Sequence, residues 1–139
     1  MADPRSLAGV AQAVAASAMR AQQARMRVIA ENLANANSTS RVAGGDPYRR
    51  QAPVFEPTKV AGAQGVRMTG VQPDQKPFKT EYDPGAPGAD AAGYIKLPNV
   101  DTMVEALDMK EAQRAYEANL NVIETARAME MRTLDLLKK

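Results

Sequence analysis

The stretch Glu31-Asn32-Leu33-Ala34-Asn35-Ala36-Asn37-Ser38-Thr39 divides the chain into two kinds of sequence. It closes an Ala-rich run with Asn32, Asn35 and Asn37, then a serine and a threonine. A short amide competes for backbone hydrogen bonds, so asparagine disfavours a helix interior and favours its end. The tract therefore predicts a helix end with a turn built into it.

Working back from the tract, residues 5 to about 36 carry helical periodicity. Leu7, Val10, Val14, Ser17, Ala21, Ala24 and Val28 recur at alternating spacings of three and four, and Met19, Met26, Ile29 and Leu33 widen the stripe. Asp3-Pro4 suits a helix start, because proline in the first turn sacrifices no needed hydrogen bond. Working forward, residues 38–98 hold eight of the nine prolines and eight of the nine glycines. Turn signals at 44–47, 73–74 and 83–85 separate short runs with strand character at 48–55, 66–71, 78–82 and 94–97. Residues 100–138 are helical again, with Asn99 or Asp101 able to cap the start. Ala112, Ala115, Asn119, Val122, Ala126, Met129 and Leu136 form one line, with Tyr116, Leu120, Ile123, Leu134 and Leu137 beside it. Charges at Glu105, Lys110, Glu111, Arg114, Glu117, Glu124, Arg127 and Arg132 occupy much of the rest.

These segments predict a mainly α fold with a small β insert. Long N- and C-terminal helices (residues 1–37 and 99–139) pair antiparallel in a coiled-coil-like manner, around a β-hairpin and loop-rich middle (38–98). One helix pair cannot hide both wide stripes, so the surplus apolar surface predicts neighbouring chains. The candidate interface residues are Leu7, Val10, Val14, Met19, Met26, Ile29, Asn32, Leu33, Asn35, Asn37, Tyr116, Asn119, Leu120, Ile123, Met129, Leu134 and Leu137. Asn119, on the apolar line, reads either as a register-fixing residue or as a half-solvated edge position. Whether the three tract asparagines bond within the chain or across to a neighbour is left open by the sequence.

Composition narrows the function classes. None of the 139 residues is Cys or His, which removes disulfides, thiolate nucleophiles, the usual zinc ligands and the usual general base. Asp83 with Asp90, and Asp74 with Glu81, sit in turn-rich sequence and read as turn or surface groups rather than an acid–base pair. No catalytic, cofactor-binding or metal-ligating residue is assigned. The formal net charge of +2 is spread along the chain, so no nucleic-acid footprint is indicated. Arg41, Arg49 and Arg50, next to Tyr48, read as a patch for an acidic partner or a solvated strand face. The short apolar run at 13–16 predicts neither a cleaved signal peptide nor a membrane span.

Met26-Arg27-Val28-Ile29-Ala30-Glu31-Asn32-Leu33-Ala34-Asn35-Ala36-Asn37-Ser38-Thr39 resembles the N-terminal signature of bacterial flagellar axial proteins, the rod, hook and hook-associated subunits. Residues 45–50 (GDPYRR), 78–85 (FKTEYDPG), 93–100 (GYIKLPNV) and 114–119 (RAYEAN) narrow the resemblance to proximal rod subunits. It covers roughly residues 19–139, while residues 1–18 lack the aromatics often seen near that family's start. The resemblance implies a non-enzymatic subunit that self-associates through its terminal helices into a hollow, torque-transmitting rod in the periplasm. It implies export by the flagellar type III system without a cleaved signal. The implied partners are other proximal and distal rod proteins, the rod-base (MS-ring) adaptor and the export apparatus. Neither nucleic acid nor stable membrane insertion is expected. The alternatives are another rod or hook subunit or, from a different class, a coiled-coil adaptor or membrane-surface module.

Overall fold

A computed structural model describes residue 3 and residues 5–138. The element order is α1 (Leu7–Ala34), β1 (Gln51–Val60), β2 (Ala63–Pro73), β3 (Lys79–Tyr82), β4 (Tyr94–Leu97) and α2 (Thr102–Leu137). Both predicted helices are present, each shorter by a few residues than the periodicity implied. Ser6 starts α1, its Oγ accepting the Gly9 N–H at 2.9 Å. The helix-start role expected of Pro4 lies outside the described residues. At α2, Asp101 is the cap: its Oδ1 accepts the Met103 N–H at 3.0 Å. Asn99 is used elsewhere.

The chain divides into two compact units. The first holds Met1–Met26, Val54–Gly70 and Lys110–Lys139. Within it α1 and α2 run antiparallel: Ser6 Oγ donates to Glu130 Oε1 at 3.4 Å, Gln12 Nε2 to Glu130 Oε2 at 3.2 Å, and Arg25 pairs with Glu111 at 3.6 Å. Ala15, Ala21, Ala112 and Ala126 are buried there. Helix spacing depends on the side chains at the contact, so alanine permits close approach. Residues 54–60 of β1 and 63–70 of β2, on either side of their turn, belong to this unit as a two-stranded sheet. Their strands extend well beyond the predicted 48–55 and 66–71, because a turn at Ala61-Gly62 was not read from the sequence. Both turn residues have positive φ, 50° and 80°, the geometry of a two-residue type I′ hairpin. The hairpin meets α1 at Gly65, where an added Cβ would stand 2.6 Å from Val60 Cγ2 and 2.8 Å from Ser17 Oγ.

The second unit holds Arg27–Pro53 and Val71–Met109. It contains the last turns of α1, the first turns of α2 and the β3–β4 hairpin. That hairpin is antiparallel, with Lys79 opposite Leu97 and Tyr82 opposite Tyr94. The two tyrosines meet edge to face at 5.3 Å. Val28, Ile29 and Ile95 form its buried apolar core. Asp90, weighed above as half of a carboxylate pair, holds the connecting loop: its Oδ1 accepts the Ala92 and Tyr94 N–H groups, each at 2.9 Å.

The apolar line read along α2 needs correction. Val122, Met129 and Leu136 are exposed, whereas Ile123 is half-buried and Glu130 receives the bonds from Ser6 and Gln12. A straight helix turns every 3.6 residues, so a strict heptad line drifts off its seam over several turns. Glu105, among the charges outside these lines, is nonetheless buried, 1% exposed.

Candidate functional site

Asn32 and Glu105 are the largest fully buried side chains described, and both are polar. Asn32, 0% exposed, spends its whole amide within the chain. Its Oδ1 accepts the Gln51 N–H at 3.0 Å and the Tyr48 hydroxyl at 2.7 Å. Its Nδ2 donates to the Gln51 carbonyl at 2.8 Å and reaches Glu105 Oε2 at 3.5 Å. The side-chain amide thus meets both main-chain groups of Gln51, as a neighbouring strand would. The last turn of α1 is fastened to the first residue of β1.

Glu105 fastens the first turn of α2 to the same place. Arg50 Nε donates to Glu105 Oε1, and Arg50 Nη1 donates to Asp74 Oδ2 at 3.2 Å. Arg50 Nη2 lies 4.0 Å from Asp108 Oδ2. Asn99 accepts the Arg50 backbone N–H at 2.7 Å and donates to the Asp74 and Lys76 carbonyls, each at 3.0 Å. Arg49 donates to the Asp74 carbonyl at 2.8 Å, and its guanidinium sits 4.2 Å from the centre of the Phe78 ring. The arginines read as a solvated strand face or an acidic-partner patch are therefore largely internal; Arg41 is exposed.

The electrostatics follow from this packing. Burial, reinforced by the Glu31 and Glu105 charges, holds the Tyr48 hydroxyl above its ordinary 10.0. The Lys76 N–H, then Arg50, pulls Asp74 below its ordinary 3.8. For Arg50, burial works against the charge, but the hydrogen bonds and charges of Glu105 and Asp74 outweigh it and raise the value. No buried side-chain nitrogen or oxygen lacks a partner among the described residues. The arrangement is a fully satisfied clasp, which fixes geometry.

Of the predicted interface residues, Asn32 and Ile29 are buried inside the chain. Asn35 donates to the Glu31 carbonyl at 2.9 Å and accepts from Ser38 Oγ at 3.1 Å, so it too bonds within the chain. Asn37 is exposed. Asn119 is half-buried and donates to the Ala115 carbonyl of its own helix at 2.8 Å. Val10, Val14, Met19, Met26, Leu33, Tyr116 and Ile123 are half-buried. Leu7, Leu120, Met129, Leu134 and Leu137 are exposed. Leu7, Met129 and Leu134, with Ala8, Ala11 and Ala126, line an apolar groove of about 700 Å³ in the first unit. The groove unites residues from both ends of the sequence. Residues missed by the sequence reading are Arg50, Asp74 and Glu105. One signal was present: Glu105 lies seven residues before Ala112, on the apolar line extended backwards.

Comparison with known proteins gives one result throughout. Residues 13–41 match the family described as "Flagella basal body rod protein", and residues 91–136 match "Flagellar basal body rod FlgEFG protein C-terminal". The chain is 44% identical over 138 residues to the flagellar basal-body rod protein FlgC of Agrobacterium fabrum, covering 98% of this chain and 97% of that one. It is 43% identical to FlgC of Escherichia coli O6:H1, covering 88% of this chain and 92% of the relative. Against FlgC of Bacillus subtilis the identity is 33%, covering 90% and 95%.

Proposed function

The chain belongs to the FlgC family of flagellar basal-body rod proteins, and we propose that it polymerises through the exposed faces of its two terminal helices. It is a structural subunit of the basal-body rod and associates with other rod components there. The finer reading places it in the proximal rod, within the periplasm, reached by type III export without cleavage. Copies of the chain and neighbouring rod proteins pack their helices into the wall of a hollow shaft that carries torque and passes exported subunits. The terminal segments 1–37 and 99–139 make the inner layer and 38–98 the outer. The rod base and export apparatus lie at one end and distal rod proteins at the other. The chain performs no catalysis in this reading.

One observation carries the proposal: the apolar side chains of α2 stand in solvent. Leu134 is 57% exposed and Leu137 78%, and Met129, Met131 and Leu136 join them; across the groove on α1, Leu7 is 87% exposed. A surface of this kind marks a site of association. Covering one such leucine contributes about 1.5–3 kcal/mol. No described helix is long and apolar enough to cross a membrane.

The test is Leu134→Asp. Because the side chain is already in solvent, the isolated subunit should melt as wild type does, while rods fail to form and cells stop swimming. Normal swimming would remove this face from the interface. The membrane-surface alternative is tested by vesicle flotation of the purified chain, where co-flotation would count for it.

A further inference from the structure

A second cleft in the first unit, of about 400 Å³, lies between α1 and the β1–β2 hairpin. Its floor is apolar, from Ala21, Val60, Val66 and Met68. Arg20 from α1 and Arg67 from β2 also line it. Both are exposed, and neither has an ion-pair partner among the described residues. Two uncompensated cations beside an apolar floor call for a ligand with the converse pattern, an apolar side chain flanked by carboxylates.

The chain itself presents that pattern. On α2, Glu117, Leu120 and Glu124 fall at positions i, i+3 and i+7, which is one helix face. The glutamates are about 10.5 Å apart along the axis. All three side chains are exposed, and neither glutamate has an ion-pair partner among the described residues.

We infer that the cleft beside the hairpin receives the Glu117–Leu120–Glu124 face of α2 from a second copy of this chain. Leu120 enters the apolar floor, and the two carboxylates meet Arg20 and Arg67. The contact is heterologous: cleft and helix face are different surfaces of one chain, so each copy can give one and take the other. Such a contact propagates along an assembly instead of closing a symmetric pair. The inference rests on the self-association proposed above and adds which surfaces meet.

Two experiments test it. In cells, Arg20→Glu with Arg67→Glu should abolish swimming, as should Glu117→Arg with Glu124→Arg, and combining all four changes should restore it. Normal swimming with either reversed pair, or no recovery in the combination, overturns the inference. Reversed charges can also disturb folding, so the second test keeps the surface nearly intact. The chain has no cysteine. Arg67→Cys with Glu124→Cys therefore introduces the only thiols. Oxidised basal bodies should yield disulfide-linked dimers and longer multimers of this chain with both substitutions and none with either alone. Monomer alone, or a link to a different rod protein, overturns the pairing of copies. Absence of the wild-type chain from isolated basal bodies would instead overturn the rod reading beneath it.

Discussion

Around Asn32 an amide and a carboxylate are buried with every polar atom partnered, whereas along the last turns of α2 leucines and methionines stand in solvent. The comparison inverts the usual expectation that apolar groups go inside and charges outside. In the second unit the buried charge of Glu105 is met by Arg50 and by the Asn32 amide, while Met103 and Leu107 stand in solvent. In the first the fully buried helix residues are small, mainly alanines, while Leu7, Met129, Leu134 and Leu137 stand in solvent. The difference separates folding from the assembly proposed above: one unit ties the ends of the two helices together, and the other leaves apolar side chains in solvent, where the proposed neighbours would cover them.

Substitutions can break or sharpen that contrast. The largest folding effect is expected of Asn32→Asp, which removes the donor to Gln51 and sets a carboxylate beside Glu105. An uncompensated buried charge costs about 3–5 kcal/mol, so urea unfolding should show a loss of that size. A loss below about 0.5 kcal/mol, the size of an ordinary surface substitution, would mean the clasp is not where stability resides.

Gly65→Ala comes next. The new methyl group must displace Val60 or Ser17, and overpacking of this kind costs about 1–3 kcal/mol. Hydrogen exchange should show the hairpin amides of the first unit losing protection while the clasp keeps its own. Equal loss in both units would dissolve the distinction.

Acid and alkali probe the clasp from two sides. Asp74, held below its ordinary 3.8, stabilises the fold above that pH, and the contribution is lost as pH falls through its folded value. Tyr48, held above 10.0, stabilises below that pH and loses its contribution as pH rises through its folded value. Asp74→Asn should therefore flatten the acid limb of the stability profile below pH 3.8, and Tyr48→Phe the alkaline limb above pH 10.0. Unchanged limbs in both variants would show that these groups do not govern the profile.

The smallest effect is a gain. Ala61 has φ 50°, a left-handed conformation costing a non-glycine residue about 1–2 kcal/mol. Ala61→Gly should stabilise by roughly 0.5–1 kcal/mol after the added unfolded-state entropy is subtracted. A thermal midpoint that falls would show that the turn does not need its left-handed geometry relieved.

Much of the fold was legible in the sequence. The asparagine tract ends α1 within a few residues of where its composition predicted, and β3 and β4 lie where their short apolar runs do. Hairpin β1–β2 was read too short because Ala61 gives no turn signal; only Gly62 does. The apolar stripes were visible, but their inward and outward sides were not. Periodicity reports that one face differs from another, and it does not say which of two apolar flanks a neighbouring helix will cover.

By itself the sequence determined two long helices flanking a turn-rich insert, a surplus of apolar surface, and membership of a rod-forming family. Each is a local property, set by residue type and spacing. Only the tertiary structure decided that Asn32, Arg50 and Glu105 meet. Asn32 and Glu105 are 73 residues apart, and no periodicity relates them. A charge can be buried only where other parts of the chain bring it a partner, so its place is settled when distant segments pack.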